Sequence, residues 1–141
     1  MTNALQRYQT ILVADDLQKW RDSVKRNLAY YQAATPLEAT TANEAVRLAE
    51  THRPDLAILD INYDPENPGL EGDLSGLTIA CQGIRERFPD SKIVVMSANQ
   101  PEEVYKELAR QYGADYFINK ERLVEGFKEI AGGSLERWFN Y

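Results

Sequence analysis

The sequence predicts an α/β fold in which a five-stranded parallel sheet is doubly wound by five helices. Three observations carry this. Short apolar runs and longer amphipathic patterns alternate five times along 141 residues, as in a sheet covered by helices. Three of the runs, "ILVA", "LAILDI" and "IVVMS", are apolar without alternation, as strands buried on both faces require. Right-handed crossovers then restrict the topology, and the flavodoxin-like strand order 2-1-3-4-5 is expected.

The first strand falls at 11–14, and Leu17, Val24, Leu28 and Tyr31 mark one face of the helix after it. The second strand spans 37–40. Thr41 and Glu44 then have the spacing of a capping box, with Ala45, Leu48 and Ala49 following on the second helix. A third strand covers 56–61. Ser75 is expected to cap the third helix, whose Leu77, Cys81, Ile84 and Phe88 keep to one stripe. After a fourth strand at 93–97, Pro101 suits the first turn of a fourth helix. That helix is expected to turn Val104, Leu108 and Tyr112 inward and to stop at Gly113. A fifth strand at 116–118 leads to a helix carrying Leu123, Phe127 and Ile130, ended by Gly132-Gly133. Residues 1–131 read as one domain and 132–141 as a short aromatic tail.

Composition narrows the function. The net charge is −6 and no Lys/Arg cluster is long enough to track phosphates, so no direct nucleic-acid contact is expected. No apolar stretch approaches the roughly 18 residues that cross a bilayer, and "MTNALQRYQTILVADD" is no signal peptide. A cytoplasmic protein without membrane contact is expected. The lone Cys81 cannot form an internal disulfide, which agrees with a reducing compartment, and it reads as a packing residue. His52 reads as a surface histidine near the end of the second helix.

Ligands of such sheets sit where the strands end. The first strand ends in Asp15-Asp16, the third in Asp60 and the fourth in Ser97, while Lys120 follows the fifth. Taken singly, an acid pair caps a helix, a terminal Asp turns the chain, and a Lys is solvated. Their convergence on one sheet edge argues for chemistry. Clustered carboxylates repel unless a positive charge intervenes. Magnesium, with its preference for hard oxygen ligands, answers that need, with manganese as an alternative. Lys120 adds a second positive charge suited to a phosphoryl group.

In order and approximate spacing, "ILVADD", "HRPDLAILDIN", "IVVMSA" and "GADYFINK" resemble the receiver domains of bacterial response regulators, the phosphoacceptors of two-component signalling. The resemblance implies that Asp60 is phosphorylated by a histidine kinase or phosphotransfer protein. Asp16 and Asp60 would give carboxylate oxygens to Mg²⁺, Asn62 its backbone carbonyl, and Asp15 would act through a metal-bound water. It makes Ser97 the switch hydroxyl with small Ala98 beside it, Lys120 the partner of the phosphoryl oxygens, and Phe117 the aromatic that changes rotamer. Asn62 and Asn99 fall where the family tunes attacking water. The implied output is a downstream protein target bound by the face built from the fourth helix, fifth strand and fifth helix.

Four features depart from the family pattern. Sixteen positions separate Asp60 from Gly76, about twice the usual span. The added acidic stretch "YDPENPGLEGDL" reads either as a tolerated surface insertion or as a lid that selects the kinase or limits water, and its acids could add a metal ligand. Glu121 stands where a proline after a cis bond is usual, which predicts another path for the loop carrying Lys120. Phe117 lacks a tyrosine's hydroxyl. The ending "SLERWFNY" is too short for an output domain; Trp138, Phe139 and Tyr141 either fold back or form a partner- or dimer-binding tail. Trp20 reads as packing or half-exposed surface.

The leading expectation is a stand-alone receiver, a phosphoacceptor and not an enzyme. A degenerate receiver used as a phosphorylation-independent protein-binding module is the alternative. A phosphatase would want an acid where Asn62 stands, and nucleotide binding lacks a Gly-rich loop after the first strand.

Overall fold

The computed structural model describes residues 2–62 and 74–136. The acidic stretch up to residue 73 and the aromatics Trp138, Phe139 and Tyr141 lie outside the described residues. A short 3-10 helix, Ala4–Arg7, precedes the alternating elements. These are β1 (Ile11–Ala14), α1 (Gln18–Tyr30), β2 (Leu37–Ala39), α2 (Ala42–His52) and β3 (Leu56–Asp60). A π-helix, Gly76–Cys81, runs straight into α3 (Gln82–Arg87). Then come β4 (Lys92–Ser97), α4 (Glu102–Gln111), β5 (Tyr116–Asn119), a 3-10 turn (Lys120–Arg122) and α5 (Leu123–Ala131). All strand pairings are parallel and the order is β2-β1-β3-β4-β5, as expected.

Unbroken apolarity in the strands has a direct cause. Along each strand, side chains alternate between two cores. Leu12, Ala14, Ala57, Leu59, Ile93, Val95 and Phe117 pack under α2, α3 and α4. Ile11, Val13, Leu56, Ile58, Val94, Met96 and Ile118 pack with Leu5, Val24, Leu28 and Phe127 on the other side. Over β1, β3 and β4 neither face of the sheet meets water, so neither needs polar residues there; the edge strand β2 exposes Glu38. Cys81 is fully buried, and burial pushes its thiol up to about 12, so it packs rather than reacts. Among the described residues no helix is long and apolar enough to cross a membrane.

Three local expectations are corrected. Ser75 makes no side-chain cap: directly before the π-helical turn its backbone is already helical (φ −60°, ψ −29°), whereas a capping residue is extended. The capping box of α2 is half formed: Thr41 Oγ accepts the Glu44 N–H at 3.1 Å, but Glu44 reaches past Thr41 to the N–H of Thr40 at 2.7 Å. On α4 the fully inward residues are Tyr105 and Ala109, with Leu108 and Tyr112 at the margin, while Val104 is 50% exposed. The small Ala109 lets the helix lie close on the sheet, and that rotates Val104 outward. Gly113 does stop α4, at a positive φ of 100° that favours glycine.

Candidate functional site

Each polar group at the carboxyl edge is delivered by an apolar strand and fixed by local bonds. Asp15 leaves β1 by donating its backbone N–H to Ala39 of β2 at 3.1 Å. Its Oδ1 accepts the N–H of Leu17 at 2.9 Å, and its carbonyl accepts from Arg21 Nη1 at 2.8 Å. Arg21 is in turn held by Glu38 of β2. Asp15 thus fixes the loop that leads into α1, but it is not the cap of that helix: the N-cap position is Leu17, and no side chain caps it. The remaining oxygen, Asp15 Oδ2, points into the cluster.

Asp60 closes β3, a strand buried at every position, and is itself 4% exposed. Behind it, Gly76 is packed so tightly that a Cβ there would lie 1.8 Å from the Asp60 carbonyl oxygen. The Gly76 N–H also donates to the Ile61 carbonyl at 2.9 Å. Only glycine permits this approach, and it sets where the chain returns after the acidic stretch.

Carboxylate oxygens of Asp15, Asp16 and Asp60 lie within 4.8 Å of one another. Lys120, only 7% exposed, places Nζ 2.7 Å from Asp15 Oδ2 and 3.0 Å from Asp60 Oδ1. Its turn lacks proline but is held by Asn119, whose Oδ1 accepts the Glu121 N–H at 2.9 Å. The altered path therefore still brings the ammonium to Asp60. Ser97 is buried at the end of β4, its Oγ accepting the Asn99 N–H at 2.9 Å. Asn99 donates its side-chain N–H to Asn62 Oδ1 at 2.9 Å, joining the loops after β3 and β4. Phe117 is 7% exposed and packed into the core under α4.

Charge in this cluster is unbalanced. Burial pushes the Asp60 carboxyl up to about 7, the neighbouring charges of Asp15 and Asp16 push the same way, and Lys120 opposes them. Asp16 is also raised, by burial first and then by Asp15. One ammonium does not neutralise three acids. Asp15 Oδ2 is buried without a properly directed hydrogen bond, although Lys120 is close. Hard oxygen donors, surplus negative charge and a buried undirected oxygen together fit a divalent cation such as Mg²⁺.

The edge also holds two residues that sequence reasoning passed over. Arg21 anchors the Asp15 backbone. Trp20, taken for packing or surface, lies with its ring centroid 5.0 Å from Lys120 Nζ. Its position four residues after Asp16, on the first turn of a helix facing the strand ends, was the available signal.

The family model described as "Response regulator receiver domain" matches residues 11–130. The nitrate/nitrite response regulator protein NarL of Escherichia coli (strain K12) is 33% identical over 132 residues, covering 89% of this chain and 56% of the relative. The transcriptional regulatory protein DegU of Brevibacillus brevis is 28% identical over 127 residues, covering 87% and 50%. The chain spans about half the length of the curated relatives it matches. Among solved structures, the receiver domain of NtrX from Brucella abortus superimposes with a TM-score of 0.72 at 27% identity, covering 90% of this chain and 98% of that one. With a fold of this topology and a match along most of its length, the chain belongs to the response regulator receiver domain family.

Proposed function

We propose that this receiver is a phosphorylation switch that takes a phosphoryl group on Asp60 from a phosphohistidine of a histidine kinase or phosphotransfer protein. The observation that carries the reading is the gathering of Asp15, Asp16 and Lys120 around Asp60. An Asp60 oxygen attacks phosphorus as the bond from phosphorus to the donor imidazole breaks, and Lys120 stands where it can pair with the transferring oxygens. Asp16, Asp60 and the backbone carbonyl of Asn62 would hold Mg²⁺, with Asp15 acting through water. When bound, the ion supplies charge neutralisation for acids and phosphoryl group alike.

The output follows from the same groups. A phosphoryl group carries about −1.5 to −2 charge at neutral pH. Ser97, which now accepts the Asn99 N–H, and Lys120 would be drawn to it, shifting the balance of states on the face of α4, β5 and α5, with Phe117 moving between them. That face would bind a downstream protein, in the cytoplasm, as monomer or homodimer. The chain acts as a stoichiometric acceptor and not as a phosphatase: Asn62, two positions after Asp60, cannot serve as a general acid.

Incubating the full chain with Mg²⁺ and acetyl phosphate and following intact mass tests the reading. The expected result is one phosphoryl adduct, absent in Asp60→Asn and absent when the metal is chelated. A chain that takes no adduct, and does not respond to beryllofluoride, would instead be a phosphorylation-independent binding module.

A further inference from the structure

Lys120 faces a competition that its geometry makes plain. Its two anionic partners, Asp15 at 2.7 Å and Asp60 at 3.0 Å, belong to the same acid cluster that suits a divalent cation. Whatever engages those carboxylates takes partners away from the ammonium. The Trp20 ring, 5.0 Å from Nζ, is a partner that neither a metal ion nor a phosphoryl group can claim. An indole face attracts an ammonium through its quadrupole, most strongly where water is scarce, and Lys120 is 7% exposed.

Trp20 is also well fixed. Its backbone N–H donates to the Leu17 carbonyl at 3.1 Å, and Leu17 donates in turn to Asp15 Oδ1 at 2.9 Å. Arg21, the next residue, bonds the Asp15 carbonyl. These bonds hold the Trp20 backbone beside the acid whose other oxygen meets the same lysine, and the ring also has Lys19 Nζ at 5.4 Å, so Lys120 is the nearer of its two ammonium neighbours.

We propose that Trp20 is a positioning residue for phosphoryl transfer, its indole face holding the Lys120 ammonium beside Asp60 while the carboxylates are otherwise engaged. The inference rests on the phosphoacceptor reading above. It assigns Trp20 no contact with the phosphoryl group. It makes the residue a third support for the lysine, where Glu121 follows Lys120 and a 3-10 turn held by Asn119 supplies the rest.

The test compares Trp20→Phe, which keeps an aromatic face, with Trp20→Leu, which keeps only apolar bulk. With acetyl phosphate at saturating Mg²⁺, Trp20→Leu should take the phosphoryl group about fivefold more slowly than wild type, and Trp20→Phe less than about twofold more slowly. In a Lys120→Met background Trp20→Leu should cause no further loss. Equal slowing by both substitutions, no slowing, or the same loss with and without Lys120 would overturn the inference and leave the ring as packing. A wild-type chain that takes no phosphoryl group would instead sink the reading beneath it.

A second measurement does not depend on either variant folding. The chain has two tryptophans, so Trp138→Phe makes Trp20 the only indole emitter. Its emission should change on adding Mg²⁺ and then beryllofluoride, and Lys120→Met should remove most of that change. An emission that ignores both additions, or responds equally without Lys120, would overturn the inference.

Discussion

At the edge where the strands begin, Asp55 accepts the backbone N–H groups of Gln9 and Thr10 at 2.9 and 3.0 Å. Ser91 donates to the Pro54 carbonyl, and Arg85 donates to the carbonyls of Gly113, Pro89 and Ser91. Asp115 accepts from both Arg85 and the Ile93 N–H. At the edge where they end, Asp15, Asp16 and Asp60 share one ammonium, and Asp15 Oδ2 has no properly directed bond. Both edges carry aspartates and a cation. The first matches its acids with fixed donors, and the second holds more negative charge than the described residues neutralise. A closed edge stabilises; an open one waits for a ligand from solution.

That contrast can be broken or sharpened by substitution. The largest effect is expected at Gly76, packed against the Asp60 carbonyl at the open edge. Gly76→Ala would drive a Cβ into the Asp60 carbonyl, and chemical denaturation should register a loss of about 4 kcal/mol or more. Asp115→Ala should come next. It strands the Ile93 N–H and removes a partner of Arg85, and the same measurement should give a loss of about 3 kcal/mol.

Asp60→Asn should act in the opposite direction and more weakly. The fold raises this carboxyl from 3.8 to about 7, so the native state favours the protonated form. Its contribution to stability therefore declines as pH climbs from the ordinary value through about 7. In metal-free protein at about pH 8, Asp60→Asn should gain about 1–2 kcal/mol, with no gain near pH 4. Saturating Mg²⁺ should erase the difference. If neutralising acids destabilised both edges alike, the distinction between them would be gone.

How much of this was legible in the sequence depends on the range of the interaction. The buried strands were readable because continuous apolarity has one common cause, cover on both faces. The acids, Ser97 and Lys120 were readable because topology alone brings strand ends together. The facing of α4 was not. Val104 outranks Ala109 in hydrophobicity, but close packing on the sheet favours the small residue, and no local pattern records that distance. Ser75 failed as a cap because its own backbone is already helical where a cap must be extended, and the sequence does not record that dihedral. Trp20 was passed over because its partner lies 100 positions away in the chain and reaches it across the sheet.

The seat of Gly76 on the Asp60 carbonyl has a consequence for how this chain can vary. Ile61 and Gly76, on either side of the acidic stretch, are joined by the Gly76 N–H to the Ile61 carbonyl. Doubling the length of such a loop adds only about 0.6 kcal/mol of closure entropy. Residues can therefore be inserted, trimmed or exchanged beside Asp60 while its carboxylate stays where β3 put it, so the surroundings of the acid cluster can diversify without moving the cluster itself.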